Sequence, residues 1–131
     1  MSGASRYVTV KNATASKERL MVNLFETALR HMRVGMKHLE NNDRKAANTL
    51  LDKASQIVAY LHGTLKRDAA PAMVDNLAEL YTFTMARLMR AIVTGKVSDV
   101  REAERAFAPV VEGFQKAVAA MSASPGQAAR P

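Results

Sequence analysis

The sequence predicts an all-α protein: an antiparallel up-and-down bundle of four long helices, preceded by an N-terminal arm or short extra helix. Three observations point there. Glycine and proline number only six and four in 131 residues, poor material for the tight turns of a many-stranded sheet. Apolar residues recur at three-to-four spacing over four separate stretches, the signature of one helical face. Short punctuating segments with helix-stopping or helix-starting residues stand between the stretches, at 41–43, 66–71 and 95. A chain of this length, 48% apolar and 24% charged, makes one globular domain.

Residues 1–15 lack helical periodicity and are expected to form a flexible arm, with Tyr7, Val8 and Val10 as its apolar side. Ser16 offers an N-cap oxygen and Glu18 an acid in the first turn. The first helix is expected over 17–40, with Leu20, Met21, Leu24, Phe25, Ala28, Met32, Met36 and Leu39 on one face. Asp43 caps the second, whose stripe is Ala46, Ala47, Leu50, Leu51, Ala54, Ile57, Val58, Leu61 and Leu65. Pro71 sits where a third helix, about 72–94, would start, and Gly95 where it would end. That helix turns Met73, Leu77, Leu80, Tyr81, Thr84, Leu88 and Ile92 inward.

Asp99 with Glu102 resembles a capping box for the fourth helix. Its stripe is Val100, Ala103, Phe107, Val110, Val111, Phe114, Val118 and Met121, and Pro109 inside it predicts a kink or a break near 105–108. The bundle therefore covers 16–121, and 122–131 reads as a disordered tail. Helices of 22–24 residues would be about 35 Å long, giving an elongated rod with surface grooves.

Composition removes several classes of function. With no cysteine, disulfides, thiolate metal sites and cysteine nucleophiles are excluded. No apolar run approaches the roughly 20 residues of a membrane span, and no N-terminal secretion signal is present, so a cytoplasmic protein without membrane insertion is expected. His31, His38 and His62 have no glutamate three residues before them, as di-iron bundles require. No metal or other cofactor is expected. No serine has a histidine neighbour and no glycine-rich phosphate loop occurs, so an enzyme is not expected. Asn12-Ala13-Thr14 matches a glycosylation sequon, a chance match in a chain without a secretory signal.

Nineteen basic against twelve acidic residues give a net charge of +7, which raises nucleic-acid binding. The excess sits in residues 1–42, with seven basic and three acidic groups, and Arg30, Arg33 and Lys37 read as a solvated helix face. Acids are interspersed and no aromatic side chain is offered for stacking, so nucleic acid is the disfavoured partner. Helix recognition remains. Eight methionines are present, six of them (Met21, Met32, Met36, Met73, Met85 and Met89) on the first and third helices. Flexible thioethers fill cores, and they also line grooves that repack around a partner helix. Val22, Leu29, Val34, Val74, Phe83, Met85 and Met89 lie outside the central seam, more apolar surface than one seam hides.

These residues also carry a resemblance. Tyr7, then Ala13-Thr14-Ala15-Ser16-Lys17-Glu18-Arg19-Leu20-Met21 and Leu24-Phe25-Glu26-Thr27-Ala28-Leu29, resembles the opening of the flagellar secretion chaperone family FliS. That family typically reads Thr-Ala-Ser-Pro and then Leu-Tyr-Asp-Gly. The run Asp43 to Ala54 is similar to its second helix, and Asn76-Leu77-Ala78-Glu79-Leu80-Tyr81-Thr82-Phe83-Thr84-Met85 to its Asn-Leu-x-x-Leu-Tyr-x-Tyr-Met stretch. The likeness covers about 7–120. Lys17 stands for the usual proline, Phe25-Glu26-Thr27 for Tyr-Asp-Gly and Phe83 for Tyr, and Pro109 and the basic balance are atypical.

The resemblance implies a cytosolic export chaperone. It would hold the C-terminal segment of flagellin on a hydrophobic groove, prevent premature polymerisation and deliver it to the flagellar type III export apparatus. The export gate is a further candidate partner. The bound segment would become helical on the bundle, and the arm would cover part of the surface beforehand. The expected partner-binding residues are Tyr7 and Val10, as a movable plug, and Leu20, Leu24, Phe25, Leu77, Leu80, Tyr81, Met85 and Leu88, as core-and-groove surface. The alternatives are a basic helical adaptor for nucleic acid or another acidic partner, and a small ligand- or metal-binding bundle.

Overall fold

Among the described residues the chain forms four helices: α1 (Gly3–Glu40), α2 (Arg44–Gly63), α3 (Pro71–Thr94) and α4 (Val97–Ser122). The structure, a computed structural model, describes residues 3–68 and 70–122, and side chains within 17–68 and 70–121. No strand occurs among the described residues. α1 packs on α2 and α4, and α3 packs on the same two, so the helices close a four-membered ring. α1 and α4 run antiparallel, as the cross-links Arg33 to Glu104 and Gln115 to Glu26 require.

The helix ends follow local chemistry. Asn42 closes α1 with a φ of 60°, a left-handed geometry that asparagine tolerates. Asp43 then caps α2, its carboxylate accepting the Ala46 N–H at 3.2 Å. Pro71 opens α3 and Gly95 ends it with a φ of 71°, its N–H donating to the Ala91 carbonyl at 2.8 Å. Arg44, arriving from α2, donates at 3.0 Å to the carbonyls of both Ile92 and Val93. Those are oxygens that the end of α3 would otherwise leave without a partner.

Three expectations are corrected. α1 is helical from Gly3, not from residue 17, and Ser16 is therefore internal rather than a cap. No proline or glycine interrupts residues 4–34, and Lys17 supplies the backbone N–H that the family's usual proline would lack. Asp99 does not cap α4, which begins at Val97. Its carboxylate is buried in the α3–α4 turn, accepting the Thr94 hydroxyl at 2.8 Å and lying 3.6 Å from the Arg90 guanidinium. Pro109 does not break α4, which runs uninterrupted to Ser122. The proline is exposed, so the ladder bond it removes is lost on the solvent side, where water can replace it. Residues 123–131, expected as a tail, lie outside the described residues.

The core runs along the axis through Met32, Leu51, Val58, Leu61, Leu88, Val100, Phe107 and Val111. Phe107 is its hub, with ring centroids 5.9 Å from Phe25 and 6.3 Å from Tyr81, while Phe114 lies 4.7 Å from Phe25. Thr84 is fully buried, and its hydroxyl is satisfied by the Leu80 carbonyl at 2.8 Å. Leu29 and Val74, expected outside the seam, are buried, whereas Met73 and Met121, expected inside, are exposed.

Burial pushes the Tyr81 phenol up to about 12, against about 10 in an unfolded chain. The fold therefore favours the neutral phenol. Above pH 10 the unfolded chain releases this proton first, so stability should fall by about 2 kcal/mol as pH rises from 10 to 12. Urea titrations across that range should show a shallower fall for Tyr81→Phe; identical slopes in the two proteins would refute the assignment.

Candidate functional site

The two ends of the bundle differ in chemistry. One end is built from the last turns of α1 and α3 and the first turns of α2 and α4. It holds four of the five ion pairs found among the described residues, including Arg33–Glu104 at 2.8 Å and Arg87–Glu102 at 3.0 Å. The Arg44 contacts and the Thr94–Asp99 bond lie there too. The other end carries the exposed pair Arg67–Asp75 at 3.6 Å and several large apolar side chains in water. Leu20, Tyr60, Met73 and Met121 are 57%, 58%, 63% and 64% exposed, while the ion-pair end also leaves Met89 and Val93 in water, at 54% and 71%.

From this apolar end a shallow cleft of about 310 Å³ runs between α1 and α2, lined by Leu24, His31, Lys53, Gln56, Ile57 and Tyr60. Leu20 lies one helical turn before Leu24 on the same face of α1. The floor is apolar and the far end is cationic. Desolvation holds the His31 imidazole below its ordinary range, and the neighbouring charges of Arg30 and Lys53 push the same way. At neutral pH its ring is therefore uncharged. A second cleft, between α2 and α3, is lined by His62, Ala78, Glu79, Thr82 and Phe83 with the Arg67–Asp75 pair at its mouth. It is more polar than the first.

The expected partner-binding residues separate by depth. Phe25 and Tyr81 are 3% exposed and Leu88 is fully buried, so they underlie the surface rather than form it. Leu24 lines the α1/α2 cleft, with Leu20 exposed beside it. Leu77, Leu80 and Met85 are half-buried against the core. Leu80 shares the flank of α3 with Arg87, whose partner Glu102 is on α4. Met85 follows Ala78 and Thr82 on the flank that faces α2. The ten positions thus do not form one patch. The side chains of Tyr7 and Val10 lie outside the described residues.

Ile57, Tyr60, His31 and Lys53 complete the cleft. The sequence reading placed Ile57 in the core stripe and passed over Tyr60. The available signal was their spacing: Lys53, Ile57 and Tyr60 stand at i, i+4 and i+7, one line down the flank of α2 beside its buried stripe. Among the described residues no three histidine, aspartate or glutamate side chains group as metal ligands.

Residues 1–121 match the family model described as Flagellar protein FliS. The chain belongs to the FliS family. It is also 24% identical over 106 residues to the Flagellar secretion chaperone FliS of Escherichia coli (strain K12), which covers 80% of this chain and 78% of that protein. FliS is a chaperone family, not an enzyme family, in keeping with a surface built of leucine, isoleucine and tyrosine. The FliS match takes in α1 from its start. No helix among the described residues is long and apolar enough to cross a membrane.

Proposed function

We propose that this FliS-family chain is a cytoplasmic export chaperone. It holds the C-terminal segment of flagellin as a helix along the α1/α2 cleft and the adjoining apolar end of the bundle. Covering that segment prevents premature polymerisation, and the complex is delivered to the flagellar type III export apparatus. The observation that carries this reading is the apolar cleft itself, continuous with exposed Leu20 and Tyr60 at the end that lacks the ion-pair cluster. Such a surface suits a partner with an apolar helical face. Leu20 and Leu24 contact the segment directly, while Leu77, Leu80 and Met85, half-buried on separate flanks of α3, lie outside this cleft. Phe25, Tyr81 and Leu88 hold these contacts in place from below. Tyr7 and Val10 act as the movable plug, lifted when the segment arrives.

A segment that is disordered when free gives up part of its contact energy to ordering, which keeps the complex releasable. The basic-adaptor alternative lacks comparable support. Arg33 and Arg87 are engaged with glutamates, and Glu26 and Glu112 line the cleft that Arg30, Arg33 and Lys37 share.

Co-purification of the full chain with the C-terminal segment of its cognate flagellin, followed by circular dichroism, tests the proposal. A stoichiometric complex whose helix signal exceeds the sum of its parts is expected. Failure to co-purify, or a complex without helix gain, would overturn it.

A further inference from the structure

Resting on the assignment of the α1/α2 cleft as the docking site, we propose that this cleft selects its partner helix by an acidic side chain as well as by an apolar face, the carboxylate being received between His31 on α1 and Lys53 on α2. The apolar floor of Leu24 and Ile57, with Tyr60 at its rim, ends at these two nitrogen-bearing side chains. Arg30, whose charge reaches His31, lines the adjoining cleft with Glu26 and Glu112. Lys53 faces His31 from α2. Among the described residues no aspartate or glutamate lines the cleft. The nearby Asp52 accepts a hydrogen bond from Gln56 at 2.7 Å and is not a lining residue. Lys53 therefore has no anion among the residues lining the cleft, and an apolar partner with one well-placed carboxylate would supply it.

The charge pattern fixes the direction of a pH effect. The titratable and charged groups facing His31 are Arg30 from α1 and Lys53 and Tyr60 from α2. Desolvation first, and then the two cations, disfavour the imidazolium in the free protein. A partner carboxylate set between His31 and Lys53 favours it. Docking then takes up a proton, and affinity rises as pH falls from 8 toward 6. A partner held by apolar contact alone would show no such dependence.

The test uses the full chain and two amphipathic leucine/alanine peptides of 18 residues, identical except for one central glutamate or glutamine. NMR titrations follow the backbone amides and the imidazole protons. The glutamate peptide should bind about five-fold more tightly than the glutamine peptide. Its shifts should centre on Leu24, Ile57 and Tyr60, and it should raise the His31 pKa. Lys53→Glu at an exposed position should erase the preference, and His31→Gln should erase the pH dependence. Equal affinities for the two peptides, shifts centred elsewhere or no binding of either peptide would overturn the proposal. The flagellin segment, titrated separately, tells the two readings apart. If the glutamate peptide is preferred but the segment does not displace it, the flagellin assignment fails and charge selection stands. If the segment binds in the cleft indifferently to Lys53→Glu and to pH, charge selection fails and the docking assignment stands.

Discussion

Phe107→Ala is expected to destabilise the bundle by about 3–5 kcal/mol, the range for a buried phenylalanine cut back to alanine. Phe107 is fully buried and within aromatic contact of Phe25 on α1 and Tyr81 on α3. One ring on α4 thus joins the two helices flanking it. Collapse of the cavity would require α1 and α3 to move inward together, yet the far end holds both. Arg33–Glu104 ties α1 to α4, and Arg87–Glu102 ties α3 to α4. The void should therefore persist, placing the cost at the upper part of the range. Domains of this size are stable by about 5–15 kcal/mol, so the variant should be partly unfolded near 37 °C. Urea denaturation followed by circular dichroism should show a much lower midpoint at an unchanged slope. Phe83→Ala is the control. Phe83 is 42% exposed and its ring lies 5.1 Å below the Arg87 guanidinium, so its loss should cost about 1 kcal/mol or less. Similar losses in the two variants would mean that Phe107 is not the hub of the core.

The contrast between those two phenylalanines shows what could be read from the sequence. Periodicity alone put Phe107 inside and Phe83 outside, because burial on a helix follows the angle around its axis, and the angle follows residue number. Asp43 and Gly95 were legible for a similar reason, since a cap and a left-handed stop are local chemistry. Met73 and Val74 show the limit. Both sit near the seam of α3, and the choice between them depends on what packs over that end of the helix, which no local pattern encodes. The start of α1 was missed because the absence of a proline at position 17 carries more weight than the polar character of the residues before it. Asp99 was read as a cap from its spacing to Glu102, yet Thr94 and Arg90, from the preceding helix, decide where it points.

The candidate surface was legible only in part. The sequence reading counted more apolar residues than one seam hides, but Leu29 and Val74 among them are buried, and it could not assign the rest to one cleft. Ile57 and Tyr60 reach solvent together only because α1 crosses α2 with Leu24 and His31 opposite them. Such pairing across helices is set by the packing of the ring and by nothing within either helix. Residues shared by core and groove, such as Phe25 and Leu88, look the same as groove residues in a one-dimensional pattern.

The double variant Leu20→Glu/Tyr60→Glu is expected to weaken binding of the flagellin C-terminal segment on the order of 100-fold while leaving the bundle folded. Leu20 and Tyr60 are 57% and 58% exposed, so neither side chain is needed by the core, and stability should change by about 0.5 kcal/mol or less per site. A docked helix would cover the exposed half of each, worth about 1 kcal/mol apiece from apolar area alone. Glutamate removes that gain and adds the cost of drying a carboxylate against an apolar partner face. Together these come to about 3 kcal/mol, or roughly two decades in Kd. Calorimetry on wild type and variant, with matched circular dichroism spectra as the check on folding, measures the difference. Met73→Glu, exposed at the same end but on α3, separates a footprint confined to α1 and α2 from one that wraps the whole end of the bundle. A large loss in the double variant with little in Met73→Glu places the segment in the α1/α2 cleft, and comparable losses in both extend it around the end. Binding of the double variant within three-fold of wild type would mean that flagellin is held on another face, whatever the family resemblance.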